Sequence, residues 1–242
     1  ALRSLHASLC YATVLCLSQV PPITMNSSSS LVTALPILSQ ALPTPELVHR
    51  ALGLMAEGHQ ASDVVEMLTG MDEGIDHRQF HCLDAAGTAA SHTGANCVDW
   101  CGHTNARNVS VAGNMLAGQA VVADTLACWQ DRSDLPIVER LIAAMQAGED
   151  AGGDKRGKQS IALRIQGPEV FARLDLRVDD HPDPIPELER LYSVARDRFI
   201  PFSTGMPRAG RPYGILDRNT IETIIERDTG KPLVAAPEIP EV

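Results

Sequence analysis

The chain has 242 residues, 44% hydrophobic and only 4% aromatic, enough for one sizeable core filled mainly by small aliphatic side chains. Its formal net charge of −10 at pH 7 argues against nucleic acid and anionic membrane surfaces as partners, since both require clustered Lys and Arg. Six cysteines over this length are too sparse for a disulfide scaffold and fit free thiols in a reducing cytoplasm, the expected location.

Taken in chain order, Arg3 and His6 precede an apolar stretch from Leu9 to Val20. The outline resembles a signal peptide. The stretch is too short for a membrane-spanning helix, however, and Pro21-Pro22 stands where a small-x-small cleavage site belongs, so a buried strand or helix is expected. Residues 21–46 are rich in Pro and Ser and break any long helix, with Leu31 to Leu38 the best strand candidate. Leu47, Ala51, Leu54 and Met55 recur at helical spacing and predict a helix that Gly58 ends. A second helix is predicted from Ala61 to Leu68, capped by Ser62, with Val64, Val65 and Leu68 on its apolar face.

Phe80 and Cys82 alternate with polar neighbours, Asp84-Ala85-Ala86-Gly87 reads as a turn, and Thr88 to His92 returns as the second strand of a hairpin. His77 and His81 are an even number apart and read as exposed polar residues on one face of it. Asn108 to Ala112 predicts a third extended piece. Two helices follow, one carrying Val122, Leu126 and Trp129, the other opening at Asp134 and Pro136 and carrying Ile137, Leu141 and Met145.

The clearest β signal comes after Gly152-Gly153. Ile161, Leu163 and Ile165 alternate with Ala162 and Arg164, Gly167-Pro168 turns, and Leu174, Leu176 and Val178 alternate with Arg173, Asp175, Arg177 and Asp179. Each strand then offers one face to a core and one to water. A last helix is expected from Asp183-Pro184 through Leu188, Leu191, Ala195 and Phe199. Beyond Pro201, recurrent Gly and Pro predict a surface arm holding a short helix from Ile215 to Arg227. Hairpins separated by helices predict an α+β domain over residues 1–200 with a C-terminal extension over 201–242.

Several groups of residues offer chemistry. The run from Gly152 to Ser160 joins a helix end to a strand, where backbone N–H groups and Arg156 could hold an anion. Its polar members are Asp154, Arg156, Gln159 and Ser160, and the alternative is a capping glycine pair followed by a solvated turn. Asp179, Asp180 and His181 end a strand and could bind a divalent metal or move protons, or could be edge charges beside an Asp183 helix cap. Asn114 follows Gly113 and could donate to an oxyanion, or could simply occupy a turn. Cys97, Cys101 and His103 have loose metal spacing but lack a clear fourth ligand, so no metal is expected there. No phosphate-binding loop, dinucleotide glycine fingerprint or Gly-x-Ser-x-Gly elbow is present, and no cofactor is expected.

Four stretches together resemble one family. They are His92-Thr93-Gly94-Ala95 with Cys97-Val98-Asp99-Trp100; Gly113-Asn114-Met115-Leu116-Ala117-Gly118; Ala147 through Ser160; and Leu176-Arg177-Val178-Asp179-Asp180-His181-Pro182-Asp183-Pro184. In this order they are similar to the bacterial Ntn-hydrolase-like family called domain of unknown function 1028, from about Leu38 to about Arg198. The resemblance implies a four-layer αββα sandwich of two antiparallel sheets. It also implies, by analogy with the superfamily, an amide hydrolase whose first residue is the nucleophile and whose α-amino group is the base. His92, Asn114, Asp154 and Arg156 would then lie around the pocket. Family members open with a Thr-Phe-Ser-like strand, whereas this chain opens Ala1-Leu2-Arg3-Ser4 and departs from the pattern over residues 1–37, so the nucleophile is not identifiable at this N-terminus. The expectation is an amide hydrolase acting on a small or peptide-like substrate, with self-association into a homo-oligomer as a further possibility. The alternatives are a non-catalytic ligand-binding protein on the same scaffold, or a metal-dependent hydrolase using Asp179, Asp180 and His181.

Overall fold

Strand alternation organises this molecule more than helix pattern does. The computed structural model describes residues 3–9, 13–19, 37–42, 45–167, 169, 171–208 and 210–231, with 3–9, 13–19 and 37–38 described by their backbone. Among the described residues a six-stranded antiparallel sheet has the order β6-β7-β2-β1-β8-β9. It is built from β1 (Arg3–Leu9), β2 (Thr13–Gln19), β6 (Gly102–Ala106), β7 (Val109–Gly113), β8 (Ile161–Gln166) and β9 (Ala172–Val178). A three-stranded antiparallel sheet has the order β3-β4-β5, from β3 (Ile37–Ala41), β4 (Arg78–Leu83) and β5 (Ala89–Thr93). The helices are α1 (Pro45–Ala56), α2 (Ala61–Thr69), α3 (Gln119–Asp131), α4 (Ile137–Asp150), α5 (Pro184–Val194), α6 (Ile200–Ser203) and α7 (Arg218–Thr229). The architecture is mixed, with antiparallel sheets and helices, as the pattern of hairpins and helices predicts.

The apolar stretch from Leu9 to Val20 holds one strand, β2, and the residues before it form another, β1. They pair so that Leu5 faces Leu17 and Ala7 faces Leu15 across the ladder. Those positions share register rows with Leu163, Ile165, Val109 and Val111, all buried. Because Ser110 faces the smaller sheet, Val109 and Val111 face the opposite way, where α3 packs on β6 and β7 and α4 on β1 and β2. Val121, Val122, Leu141, Ile142 and Met145 fill this layer from the helices, each full burial contributing about 1.5–3 kcal/mol.

The smaller sheet carries a second apolar layer on one face. Phe80 and Cys82 of β4 join Leu47, Ala51 and Met55 of α1 and Ala61, Val64 and Leu68 of α2. The N-terminus of α2 is capped from a distance: Asp84 Oδ2 accepts from Ala61 N at 3.2 Å, while the Ser62 hydroxyl turns to Asp63 Oδ1. The cap expected from Ser62 is thus supplied by the hairpin turn, where Asp84 Oδ1 also accepts from Ala86 N and Thr88 N.

Three further departures from the sequence reading have local causes. The strand expected at Leu31 to Leu38 is seen as Ile37–Ala41, and residues 31–36 lie outside the described ones. Strand β6 carries no apolar alternation, because its partner β7 supplies the buried side chains at that edge. The β8–β9 hairpin pairs as expected, with a register shift between Ile165 and Gln166, and its Pro168 turn lies outside the described residues. Its alternate face, with Arg164, Arg173, Asp175 and Arg177, is exposed, so the smaller sheet overlies β2, β6 and β7 instead of this hairpin.

The chain divides into two units, residues 1–188 and 189–242. In the second, a π-helical turn at Ala195–Phe199 runs into α6, where Pro201 lacks the N–H that regular winding needs. The final helix has Asp217 as N-cap, its Oδ2 accepting from Thr220 N at 3.0 Å, and Gly230 in the left-handed conformation as C-cap. Buried Glu222 receives both terminal nitrogens of Arg198, at 2.7 and 3.2 Å.

Candidate functional site between the sheets

In β4, residues alternate strictly: Phe80 and Cys82 turn to helices α1 and α2, so Gln79 and His81 turn to the larger sheet. Both are fully buried. The Gln79 amide donates to Thr93 Oγ1 at 2.9 Å and to the carbonyls of Gly102 and Gly113 at 3.0 Å each, while its oxygen accepts from Gln40 Nε2 at 2.7 Å. One side chain therefore ties β4 to the start of β6 and the end of β7.

Deeper in the same layer, His81 Nδ1 lies 2.7 Å from Ser110 Oγ. The Ser110 hydroxyl donates to Asn105 Oδ1 at 2.7 Å, and Ser91 donates to the same oxygen at 2.9 Å. With the Ser110 proton committed to Asn105, the imidazole donates from Nδ1. The expectation that His81 is an exposed hairpin residue is corrected: its face is polar because a second polar sheet covers it. His77 lies in a 3₁₀ turn before the strand.

The Gly152–Ser160 run folds back on the chain after β7. Ala117 N donates to Gly153 O at 2.9 Å, Lys155 N donates to Met115 O at 3.0 Å, and Asp154 bridges Leu116. Asp154 Oδ1 accepts from Arg156 N at 2.8 Å, and its carboxylate pairs with the Arg156 guanidinium at 2.5 Å. Gly152 and Gly153 both need positive φ, and a Cβ on Gly153 would stand 2.3 Å from Glu149 Oε2. The N–H groups of residues 152, 153, 155, 156 and 157 all donate within the protein. The run is therefore a folded turn rather than a cradle of free donors.

Asn114 is buried beside this turn, and its Nδ2 has no hydrogen-bond partner among the described residues. Ser160 is buried at the mouth of β8. Gln159 Nε2 donates to Asp180 Oδ1 at 3.0 Å, and His181 N donates to Gln159 O at 2.9 Å. Asp179 accepts from Arg177 at 2.6 Å, and His181 Nδ1 accepts from Asp183 N at 3.0 Å. Asp179, Asp180 and His181 each point to a different partner, and no group of three His, Cys, Asp or Glu among the described residues could hold a metal ion. Asn114, Asp154, Ser160, Gln159 and Asp180 thus gather at one end of the large sheet. His92 is set apart: its ring stacks on Phe80 with centroids 5.5 Å apart, and its Nε2 lies 3.1 Å from Ile75 O. Cys101 Sγ lies 3.7 Å from Cys97 O, and burial pushes both thiols above their ordinary range.

The register also separates the start of β1 from the Gly152–Ser160 turn. Ile161 pairs with Leu9 and Ile165 with Leu5, so Arg3 stands at the other end of the sheet, about 20 Å away for a seven-residue strand. Ala1 lies outside the described residues.

No helix among the described residues is long and apolar enough to cross a membrane. No curated protein matches the chain. The crystal structure of protein SPO2555 from Silicibacter pomeroyi, itself assigned to DUF1028, is similar at 27% identity with a TM-score of 0.69, over 89% of this chain and 99% of that one. The model of the Family of unknown function (DUF1028) matches residues 27–188, well over half of the sequence, and the chain belongs to that family.

Proposed function

We propose that this protein hydrolyses an amide bond in a small or peptide-like substrate, on a four-layer αββα scaffold of the Ntn-hydrolase type, with the chemistry placed between the two sheets. The observation that supports this reading is the polar layer of Gln79, His81, Ser91, Asn105 and Ser110. Facing sheets ordinarily meet through interdigitated apolar side chains, which contribute more stability than hydrogen-bonded polar ones. A hydrogen-bonded polar layer at that position breaks the local rule, and such breaks concentrate where function requires them. Imidazole and hydroxyl groups are also the residue types that amide hydrolysis needs for proton transfer and for holding a carbonyl oxygen.

The test is amine release from a panel of simple amides, dipeptides and γ-glutamyl anilides by the purified full-length protein. Turnover that scales with protein concentration and falls in a Ser110→Val variant that remains folded is expected. Saturable binding of a panel member without any release of amine overturns hydrolysis and leaves a ligand-binding protein.

A further inference from the structure

Strand β9 closes one edge of the six-stranded sheet, and among the described residues β8 is its only strand partner. An edge strand offers a row of backbone N–H and C=O groups to any further strand, and proteins usually blunt such edges with bulges, prolines or lysines. Here the register shift lies between Ile165 and Gln166, opposite the start of β9, and Leu174 through Val178 pair regularly with β8. That regular stretch holds no proline and no lysine, and its middle residue is Leu176. Its charges alternate in sign. Arg173, Asp175 and Arg177 lie exposed on one face, and Asp179, one residue past the strand, stays with them by accepting from Arg177 Nη2 at 2.6 Å. The opposite face carries Leu174 and Val178, both buried, with Leu176 half-buried between them.

We propose that this edge is the interface of a twofold dimer, and that the partner it fits is a second copy of this chain, paired antiparallel through β9 about Leu176. Two identical strands related by a twofold axis through one residue oppose each residue to the one equally far beyond that axis. With the axis at Leu176, Asp175 meets Arg177 of the second copy and Arg173 meets its Asp179. Symmetry repeats both pairs, so every one of these charges faces its opposite. On the other face Leu174 meets Val178, and half-buried Leu176 is covered by its own symmetry mate. The two six-stranded sheets become one continuous sheet, and the outer backbone groups of β9 find partners.

The order of the charges selects this register over its neighbours. An axis at Asp175 opposes Asp175 to itself and Arg173 to Arg177, and an axis at Arg177 opposes Arg177 to itself and Asp175 to Asp179; directly opposed like charges destabilise a ladder. An axis at Leu174 runs into the register shift and sets Arg177 against Phe171. The ion pairs within one chain, Arg164 with Asp175 at 3.9 Å and Arg177 with Asp179 at 2.6 Å, join solvated side chains. A carboxylate has about four acceptor sites, so Asp175 and Asp179 can each serve a second guanidinium from the other copy.

The experiment measures the mass of the full-length protein by sedimentation equilibrium, alone and in mixtures of two variants. Wild type is expected to dimerise. Asp175→Arg sets Arg against Arg, and Arg177→Asp sets Asp against Asp, twice in each dimer, so either change should raise the dimer Kd about tenfold or more. An equimolar mixture of the two variants restores opposite charges at both positions and should return the dimer at near wild-type affinity, a rescue that damage to the fold does not give. Arg173→Asp mixed with Asp179→Arg repeats the test at the outer pair should either first variant fail to fold. A wild-type monomer up to about 0.1 mM overturns a second copy as the occupant of this edge. A dimer indifferent to both charge reversals overturns β9 as the interface. Two monomeric variants that stay monomeric on mixing overturn the register about Leu176.

Discussion

Replacing Gln79 by Leu tests whether the two sheets are held together by hydrogen bonds. The side chains are similar in volume, so the change removes polarity with little change of shape. In the native protein one amide nitrogen serves Thr93 Oγ1 and the carbonyls of Gly102 and Gly113, and the amide oxygen serves Gln40. Leucine leaves two buried carbonyls short of a donor, at about 1–3 kcal/mol each, and recovers roughly 1 kcal/mol through its greater hydrophobicity. The net cost is about 1–5 kcal/mol, centred near 3 kcal/mol. For a unit of this size each kcal/mol moves Tm by about 2–4 °C, so thermal unfolding followed by circular dichroism should show a fall of about 5–15 °C. Gln79→Glu adds a pH test. A carboxylate cannot donate to the two carbonyls, and its burial disfavours ionisation, so its folded pKa lies above its unfolded one. Its stability relative to wild type is fullest below the ordinary glutamate pKa of about 4.3 and is lost as pH rises through the folded value. A Tm within about 2 °C of wild type for Gln79→Leu, or a flat pH response for Gln79→Glu, would refute the claim that this amide joins the sheets.

Other outcomes follow from the same contacts. Burial pushes the Cys82 thiol up to about 12, so it should resist alkylation in the native protein at pH 8, and unfolding in guanidinium should expose it to the reagent. Because the unfolded thiol ionises near 9, the stability this group contributes should decline between about pH 9 and 12, an effect that Cys82→Ala removes from the pH–stability curve. Gly148→Ala would bring a Cβ within 2.3 Å of Thr125 Oγ1 where α3 and α4 meet. Overpacking of about 1–3 kcal/mol should then outweigh the gain in helix propensity, read as a lower denaturation midpoint in urea. Arg198→Ala leaves buried Glu222 with the more distant Arg218 at 3.5 Å, so hydrogen exchange in α7 should speed up by about tenfold or more while strands of the larger sheet are unaffected.

Local signals were readable wherever one face of an element meets a single environment. Helices α1, α2 and α4 follow from apolar residues at helical spacing, and β8 and β9 from alternation, because each has one apolar and one solvated face. The same logic misread β4, whose Gln79 and His81 look like solvated positions and are among the most buried in the molecule. Alternation reports that two faces differ. It does not report whether the polar one meets water or another polar sheet.

The amino-acid sequence alone determined the element types, the helix-and-hairpin order and the membership of residues such as Asn114 and Asp154 in long, family-like runs, because these depend on interactions within a few residues. The tertiary structure alone decided that residues 152, 153 and 155–157 spend their N–H groups within a folded turn, that His92 stacks on Phe80 instead of joining Asn114, and that Gln79 and His81 meet Gly113 and Ser110 of a second sheet. Those contacts join residues tens of positions apart, and only the packing of whole sheets brings them level.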